Sequence, residues 1–327
     1  MKTKSYITFI CLIAVLFTSC GKSKIGSIKV ENFSNGKAAE VLVILDDKYW
    51  TEAQKNSIDS ALTQPQLGLN QVEPLFDPLY LKNSDFTAHF QRHRNIVRFD
   101  VDPDYSSNTV SVEQNTFASS QVYAHFKGNN IDTLLALFDK NEQEILRKLY
   151  ENDLKRVQLS ASKQGNANLE KLVRDKFGVT LSIPDHYGIA RQEDDFLWLS
   201  YRTARNDRFI VIYKTPAYTL NEENLIKVRD MMTEKYIPGA ITGAYPIIAQ
   251  KAGFPIVGNF TVGSRKGMEM RGLWESVNDN MGGPFYNFTF TDSGTGNAIS
   301  IDGFVYAPEE SKREYLREVE AIVKSVR

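Results

Sequence analysis

Both cysteines of this 327-residue chain lie within its first twenty residues, at Cys11 and Cys20. If residues 1–19 are removed during export, a single thiol remains, and it is the first residue of the mature chain. No disulfide and no thiolate metal site can then form. The roughly 300 residues that follow must be stabilised by hydrophobic cores rather than by covalent cross-links.

The first twenty residues have the order of a lipoprotein export signal. Lys2 and Lys4 form a basic start, residues 7–17 are almost wholly apolar, and small residues lead into Cys20. The apolar run is much shorter than the roughly 20 residues that span a bilayer. We therefore predict a signal peptide over residues 1–19, cleavage before Cys20, and lipidation of the Cys20 thiol, with palmitate among the acyl groups.

The residues after Cys20 indicate where the lipid anchor would hold the chain. Gly21 stands where an Asp would retain a lipoprotein at the inner membrane, and no acidic run follows it. We expect the periplasmic face of the outer membrane, with the bilayer as a partner through the anchor. Residues 20–38 are polar and rich in Gly, Ser, Lys and Asn, which predicts a flexible tether.

The composition is that of an ordinary globular protein. Hydrophobic residues make up 42% and charged residues 24% of the chain, which is usual for a globular protein. A mature chain of about 300 residues is long enough for one large or two ordinary domains. Lys and Arg number 39 against 40 Asp and Glu, with no basic stripe, so we expect no nucleic-acid partner. Fifteen Tyr and nineteen Phe suit strands and apolar contact surfaces.

Hydrophobic periodicity predicts an α+β fold with largely antiparallel sheets and helices packed on them. Strands are expected at residues 41–45, 95–101, 109–114, 121–125, 179–183, 196–202, 209–214, 259–274, 285–291 and 299–306. Helices are expected at residues 52–62, 84–93, 130–160, 169–177, 220–236 and from Pro308 onward. Residues 71–81 carry two prolines and are expected to be irregular, and residues 239–258 are expected to form a packed loop.

The polar, turn-rich stretch 160–168 divides the chain into two linked subdomains. We predict an N-terminal α+β subdomain over residues 39–163 and a C-terminal one over residues 169–327. Val122-Tyr123-Ala124 and Val305-Tyr306-Ala307 each precede a predicted helix. This echo raises the alternative that the two subdomains are diverged copies of one unit.

Three short patterns resemble metal-binding or reactive motifs, and each lacks a required part. His89 and His93 have the spacing of two zinc ligands on a helix, without the Glu of the protease motif. Residues 100–104 place Asp at alternate positions, without the later Gly and Glu of a calcium loop. Ser160-Ala161-Ser162-Lys163 lacks the other elements of penicillin-recognising serine enzymes. We therefore predict no metal site, no cofactor and no catalytic residue.

The segment 271–285 is the most unusual in the chain, because glycines stand between aromatic and charged residues. Glycine permits close backbone approach, and flanking Trp and Phe can line a ligand groove or a partner surface. The candidate ligand- or partner-binding residues are Arg271, Trp274, Glu275, Met281, Gly282, Gly283, Pro284 and Phe285. The alternative is a tight connection that covers one end of a sheet.

Several stretches resemble a family of Bacteroidota lipoproteins known only as a domain of unknown function. They are the Cys20 signal, Gly239 to Tyr245, Gly272-Leu273-Trp274, Met281 to Phe285 and Gly303 to Pro308. This resemblance spans nearly the whole mature chain and implies no activity. Phe177 to Pro184, with the paired strands and C-terminal helix that follow, resembles the PsbP-like α/β/α sandwich, whose members are mostly non-enzymatic binding and assembly factors.

Two functions remain open from the sequence. The first is a non-enzymatic envelope protein that binds an envelope protein or a small molecule through residues 271–285. The second is an envelope hydrolase that acts on glycan or peptide through dispersed carboxylates such as Glu193, Asp194, Asp195 and Glu275.

Overall fold

The computed structural model of the protein describes residues 33–251 and 253–327. The predicted signal peptide, Cys20 and most of the predicted tether lie outside these residues. Within them the chain forms six α-helices and two sheets, which confirms the predicted α+β class. None of the helices in this part of the chain combines the length and the hydropathy that a membrane span requires.

The N-terminal half, up to residue 163, contains five strands and three α-helices in the described part. They are β1 (Glu40–Ile44), α1 (Glu52–Leu62), β2 (Asp77–Leu81), α2 (Ala88–Gln91), β3 (Asn95–Val101), β4 (Thr109–Gln114), β5 (Val122–Gly128) and α3 (Ile131–Lys163). Side-chain caps start two of the helices. The Thr51 hydroxyl accepts a hydrogen bond from Gln54 N at 3.5 Å, and the Asn130 amide oxygen accepts one from Thr133 N at 3.1 Å.

The N-terminal sheet has the strand order β2-β1-β3-β5-β4 and is mostly parallel. β1 pairs in parallel with β2 and β3, and β3 with β5, whereas β4 and β5 are antiparallel. Helices α1 and α3 cover one face in a core that includes Val43, Phe99 and Leu149. Leu42 and Ile96 are buried on the opposite face, which explains why the central strands are continuous apolar runs.

The C-terminal half contains three helices and eight strands in the described part. They are α4 (Ala167–Phe177), β6 (Gly188–Glu193), β7 (Phe196–Arg202), β8 (Asp207–Thr215), α5 (Glu222–Tyr236), β9 (Pro246–Ile248), β10 (Ile256–Val262), β11 (Arg265–Ser276), β12 (Gly282–Thr291), β13 (Ala298–Tyr306) and α6 (Arg313–Val323). Gly178 ends α4 in the left-handed region, at φ 69°.

The C-terminal sheet is antiparallel and has the order β10-β11-β12-β13-β8-β7-β6, with β9 paired to one end of β11. Helices α4 and α6 pack on one face, and α5 packs on the other. The result is the three-layer arrangement that the resemblance to an α/β/α sandwich implied. Over both sheets antiparallel pairs predominate, as predicted, and the parallel N-terminal sheet is the exception.

The topology contradicts the alternative that the halves are copies of one unit. Val122-Tyr123-Ala124 lies in β5, whose partner β3 is parallel, whereas Val305 and Tyr306 lie in β13, which is antiparallel to both neighbours. The shared tripeptide therefore reflects only that an apolar strand precedes a helix in each half.

Two predicted strands are wrong. Residues 179–183 are not a strand, because their alternating apolar side chains fill the core while Thr180 bonds only to Arg327 through backbone groups, at 3.0 and 3.1 Å. The predicted strand 259–274 is two strands, β10 and β11, which reverse at Gly263 with φ 58°.

Two further predictions that were based on prolines are wrong. Residues 77–81 form β2 although Pro78 lies within it, because β2 is an edge strand where a missing N–H is tolerated. Helix α6 begins at Arg313 rather than at Pro308. Glu73 of the N-terminal half fixes this start, since its carboxylate accepts the backbone N–H of Lys312 at 2.6 Å and of Arg313 at 2.9 Å.

Candidate functional site

Strand β11 separates the residues predicted to form one binding site. Side chains alternate along a strand, so Arg271 and Trp274 point to opposite faces of the sheet. Arg271 faces α6, where its guanidinium pairs with Glu320 at 2.9 Å. Trp274 faces the side covered by α5 and belongs to the core there. The structure therefore splits the predicted site between two clefts.

Trp274 is a core residue and not an exposed anchor. Its side chain is 4% exposed, its Nε1 donates to Val305 O at 3.0 Å, and its ring meets Phe304 at a centroid distance of 5.6 Å. Gly283 is the paired residue on β12, and a Cβ there would lie 2.0 Å from Val305 O. The glycine thus allows the close approach of strands that the indole needs.

Five of the eight predicted residues do line a common cleft of about 480 Å³, which we call the Trp274 cleft. They are Trp274, Glu275, Met281, Gly282 and Gly283. At its rim Glu275 forms an exposed ion pair with Lys251. The lining excludes Pro284 and Phe285, which are buried within the sheet.

A larger cleft of about 850 Å³ lies between the halves, and we call it the inter-half cleft. Its walls come from three separated parts of the chain: residues 64–75, residues 143–150 of α3, and residues of β10 and β11. Its lining residues include Leu67, Tyr150, Ile256, Glu269 and Arg271. Of these, the sequence identified only Arg271, because no local pattern shows which distant segments pack together.

A buried ion network forms beneath Arg271. The Glu320 side chain is fully buried and accepts from Arg271 at 2.9 Å, from Lys324 at 2.7 Å and from the Tyr150 hydroxyl at 2.5 Å. Burial acts to raise the pKa of Glu320, but the charges of Arg271 and Lys324 outweigh it and lower that pKa to about 2. Nearby, the Tyr286 hydroxyl donates to Glu269 at 2.6 Å.

Glu320 does not have the pKa of a general acid. A carboxyl group that donates a proton near neutral pH needs a raised pKa, and that of Glu320 is lowered. Both oxygens of Glu320 are also occupied by fixed donors. By contrast, only Nη2 of Arg271 is hydrogen-bonded to a described residue, so the guanidinium keeps donors for a ligand in the cleft.

The carboxylates predicted for a hydrolase do not meet. Glu193, Asp194 and Asp195 lie at the turn between β6 and β7, at one edge of the sheet. Glu275 lies on β11, four strand spacings from β7, or roughly 19 Å at about 4.8 Å per spacing. No single substrate bond could be flanked by both groups.

The two sequence patterns that resembled metal-binding motifs do not form metal sites among the described residues. Helix α2 ends at Gln91, so His89 is exposed while His93 is buried, with its Nδ1 3.0 Å from Asn95 O. Asp102 accepts the backbone N–H of Asp104 at 3.0 Å, as in a simple turn. Among the described residues no three His, Cys, Asp or Glu side chains are grouped as metal ligands.

Comparisons with known proteins identify families but no activity. No curated protein matches the chain. A crystal structure from Bacteroides thetaiotaomicron VPI-5482 is 9% identical, with a TM-score of 0.26, over 46% of this chain and 44% of that chain, a likeness too slight to carry an argument. The chain thus spans less than half the length of that protein.

Two family models match the described part of the chain. Residues 34–162 match Domain of unknown function (DUF8532), and residues 166–325 match Domain of unknown function (DUF4837). The models meet in the short connection between α3 and α4. Each half of the chain therefore matches a domain family of unknown function, and neither match implies an activity.

Proposed function

We propose that this protein is a non-enzymatic binding protein, and that its inter-half cleft holds a small molecule with an apolar body and one hydrogen-bond acceptor. The observation that carries the proposal is the cleft itself. Its volume of about 850 Å³ lies within the range of small-molecule sites, which often lie between domains.

Exposed apolar side chains at this cleft support an apolar ligand. Leu67 is 57% exposed and Ile256 is 39% exposed, and the two belong to opposite halves of the chain. Leu75 and Leu146 extend the apolar wall. A ligand that covers these side chains removes apolar surface from water and contacts both halves at once.

Polar groups at the base of the cleft would orient the ligand. The Arg271 guanidinium is held in place by Glu320 and stacks over the Tyr286 ring, with 5.1 Å from the guanidinium carbon to the ring centroid. Its remaining N–H groups can donate to a carbonyl, hydroxyl or anionic oxygen. An acceptor on the ligand would therefore be fixed by a side chain that is already ordered.

We also propose that the binding protein acts at the cell envelope, anchored to the periplasmic face of the outer membrane through Cys20. The proposal rests on the N-terminal sequence pattern. It is tested by growth with labelled palmitate followed by membrane fractionation. Label in the wild-type protein and none in Cys20→Ser supports it, and a wild-type protein without label contradicts it.

The ligand site is tested with the fluorescent probe anilinonaphthalene sulfonate, which has an apolar body and an anionic acceptor. Full burial of a Leu side chain contributes about 1.5–3 kcal/mol, and Leu67 is 57% exposed, so the probe can gain about half of that energy by covering it. Leu67→Ser should therefore weaken probe binding by roughly fivefold to tenfold. Val72→Ser is the matched control, because Val72 is 85% exposed and does not line the cleft. Equal affinities for both variants and the wild type would contradict the site.

A further inference from the structure

A separate cavity of about 430 Å³ lies where the chain enters the described structure, beside α3. Four cationic side chains line it: Arg94, Arg156, Lys163 and Arg317. Only two carboxylates line it, those of Asp153 and Glu314. The lining therefore carries two more positive than negative charges at neutral pH.

Both carboxylates are already engaged by other groups. Asp153 is shared between Arg94 at 3.3 Å and Arg317 at 3.0 Å, and it also accepts the backbone N–H of Ala39 at 2.9 Å. Glu314 pairs with Arg313 at 2.8 Å. Neither carboxylate is therefore left to neutralise the remaining two cations.

Arg156 and Lys163 are the cations without a carboxylate partner among the described residues. Arg156 donates only to oxygen atoms of Ser34 and Ser120, and its Nε is buried without a hydrogen bond. Burial, reinforced by the charge of Arg94, lowers the pKa of Arg156 to about 10. Lys163 lies over the Phe33 ring, 3.8 Å from its centroid.

We infer that this cavity binds an oxyanion, a phosphate or a carboxylate group, between Arg156, Lys163 and Arg94. An anion there would restore charge balance where two carboxylates face four cations. Guanidinium groups suit this role, because their planar N–H donors match the oxygens of phosphate and carboxylate. Arg94 keeps further N–H donors for an anion, since only its Nη1 is hydrogen-bonded to a described residue.

Calorimetric titration of the purified protein with sodium phosphate and, separately, with sodium succinate tests the site and distinguishes its two chemistries. At least one anion should bind, and binding should weaken as sodium chloride is added, because the interaction is ionic. Arg156→Gln should raise the dissociation constant roughly tenfold, which corresponds to about 1.4 kcal/mol. If neither anion produces a heat of binding at concentrations up to tens of millimolar, the inference is overturned.

The exposed Lys163 keeps the test decisive even if Arg156→Gln is unstable. Lys163→Gln should weaken anion binding by about threefold through the loss of one nearby charge. Lys227→Gln is the matched control, because Lys227 is exposed on α5 and does not line the cavity. Loss of affinity in Lys163→Gln alone supports the site, and identical affinities in both variants and the wild type would reject it.

Discussion

Arg317 in α6 and Asp153 in α3 form an ion pair of 3.0 Å across a sequence separation of 164 residues. The side chains are 2% and 4% exposed, so the pair is shielded from water. Asp153 also accepts from Ala39 just before β1 and from Arg94 just before β3. One carboxylate thus connects the start of the N-terminal sheet to the last helix of the chain.

Replacing this carboxylate should strongly destabilise the fold. Asp153→Ala leaves Arg94 and Arg317 without their buried counter-charge, so we expect the free energy of unfolding to fall by about 3–5 kcal/mol. Urea denaturation followed by circular dichroism measures this. Asp175→Ala is the control, because Asp175 pairs with Lys171 on the exposed face of α4. Equal small changes in the two variants would show that Asp153 does not hold the halves together.

Stability should fall in acid because of Glu320. Its pKa is about 2 in the folded protein and near 4.5 when unpaired, so its stabilising contribution is complete only above about pH 5. That contribution is lost as the pH falls from about 5 towards 2, and it amounts to roughly 3 kcal/mol. Unfolding free energies measured across this range should decrease less in Glu320→Gln than in the wild type. Glu151→Gln, at an exposed helix position, should retain the wild-type slope.

The buried position of Trp274 predicts a stability effect rather than a pure binding effect. Trp274→Ala should lower the free energy of unfolding by about 3–5 kcal/mol, because it removes a packed ring and leaves a cavity. Met281 lies at the partly exposed rim of the same cleft, so Met281→Ala should lower the free energy of unfolding clearly less than Trp274→Ala does. Thermal denaturation of both variants checks this, and an unchanged melting temperature for Trp274→Ala would place the indole outside the core.

Local patterns were sufficient for much of the secondary structure. The cap at Thr51 and the stop at Gly178 are local interactions, so they could be predicted from neighbouring residues. Residues 179–183 have strand-like alternation but no strand partner, because their backbone N–H groups bond to Arg327, to the Ser325 hydroxyl and to the Glu170 carboxylate. Pairing partners depend on the tertiary fold and not on the alternation itself.

In the candidate site, too, local patterns indicated some features, and others depend on the tertiary fold. Positions 271 and 274 differ by an odd number, so the period of two along a strand already indicated opposite faces for Arg271 and Trp274. The inter-half cleft could not be predicted in this way. Leu67, Tyr150 and Ile256 meet only because α3, β10 and the segment before β2 pack together, and no motif joins them in the sequence.

The most direct test of the proposed binding site is amide chemical-shift mapping of the labelled protein during titration with anilinonaphthalene sulfonate. The largest shifts should fall at the inter-half cleft, at Leu67, Leu146 and Arg271 among others. Shifts centred on the Trp274 cleft instead, at Glu275, Met281 and Gly282, or no shifts at all, would contradict the proposed site.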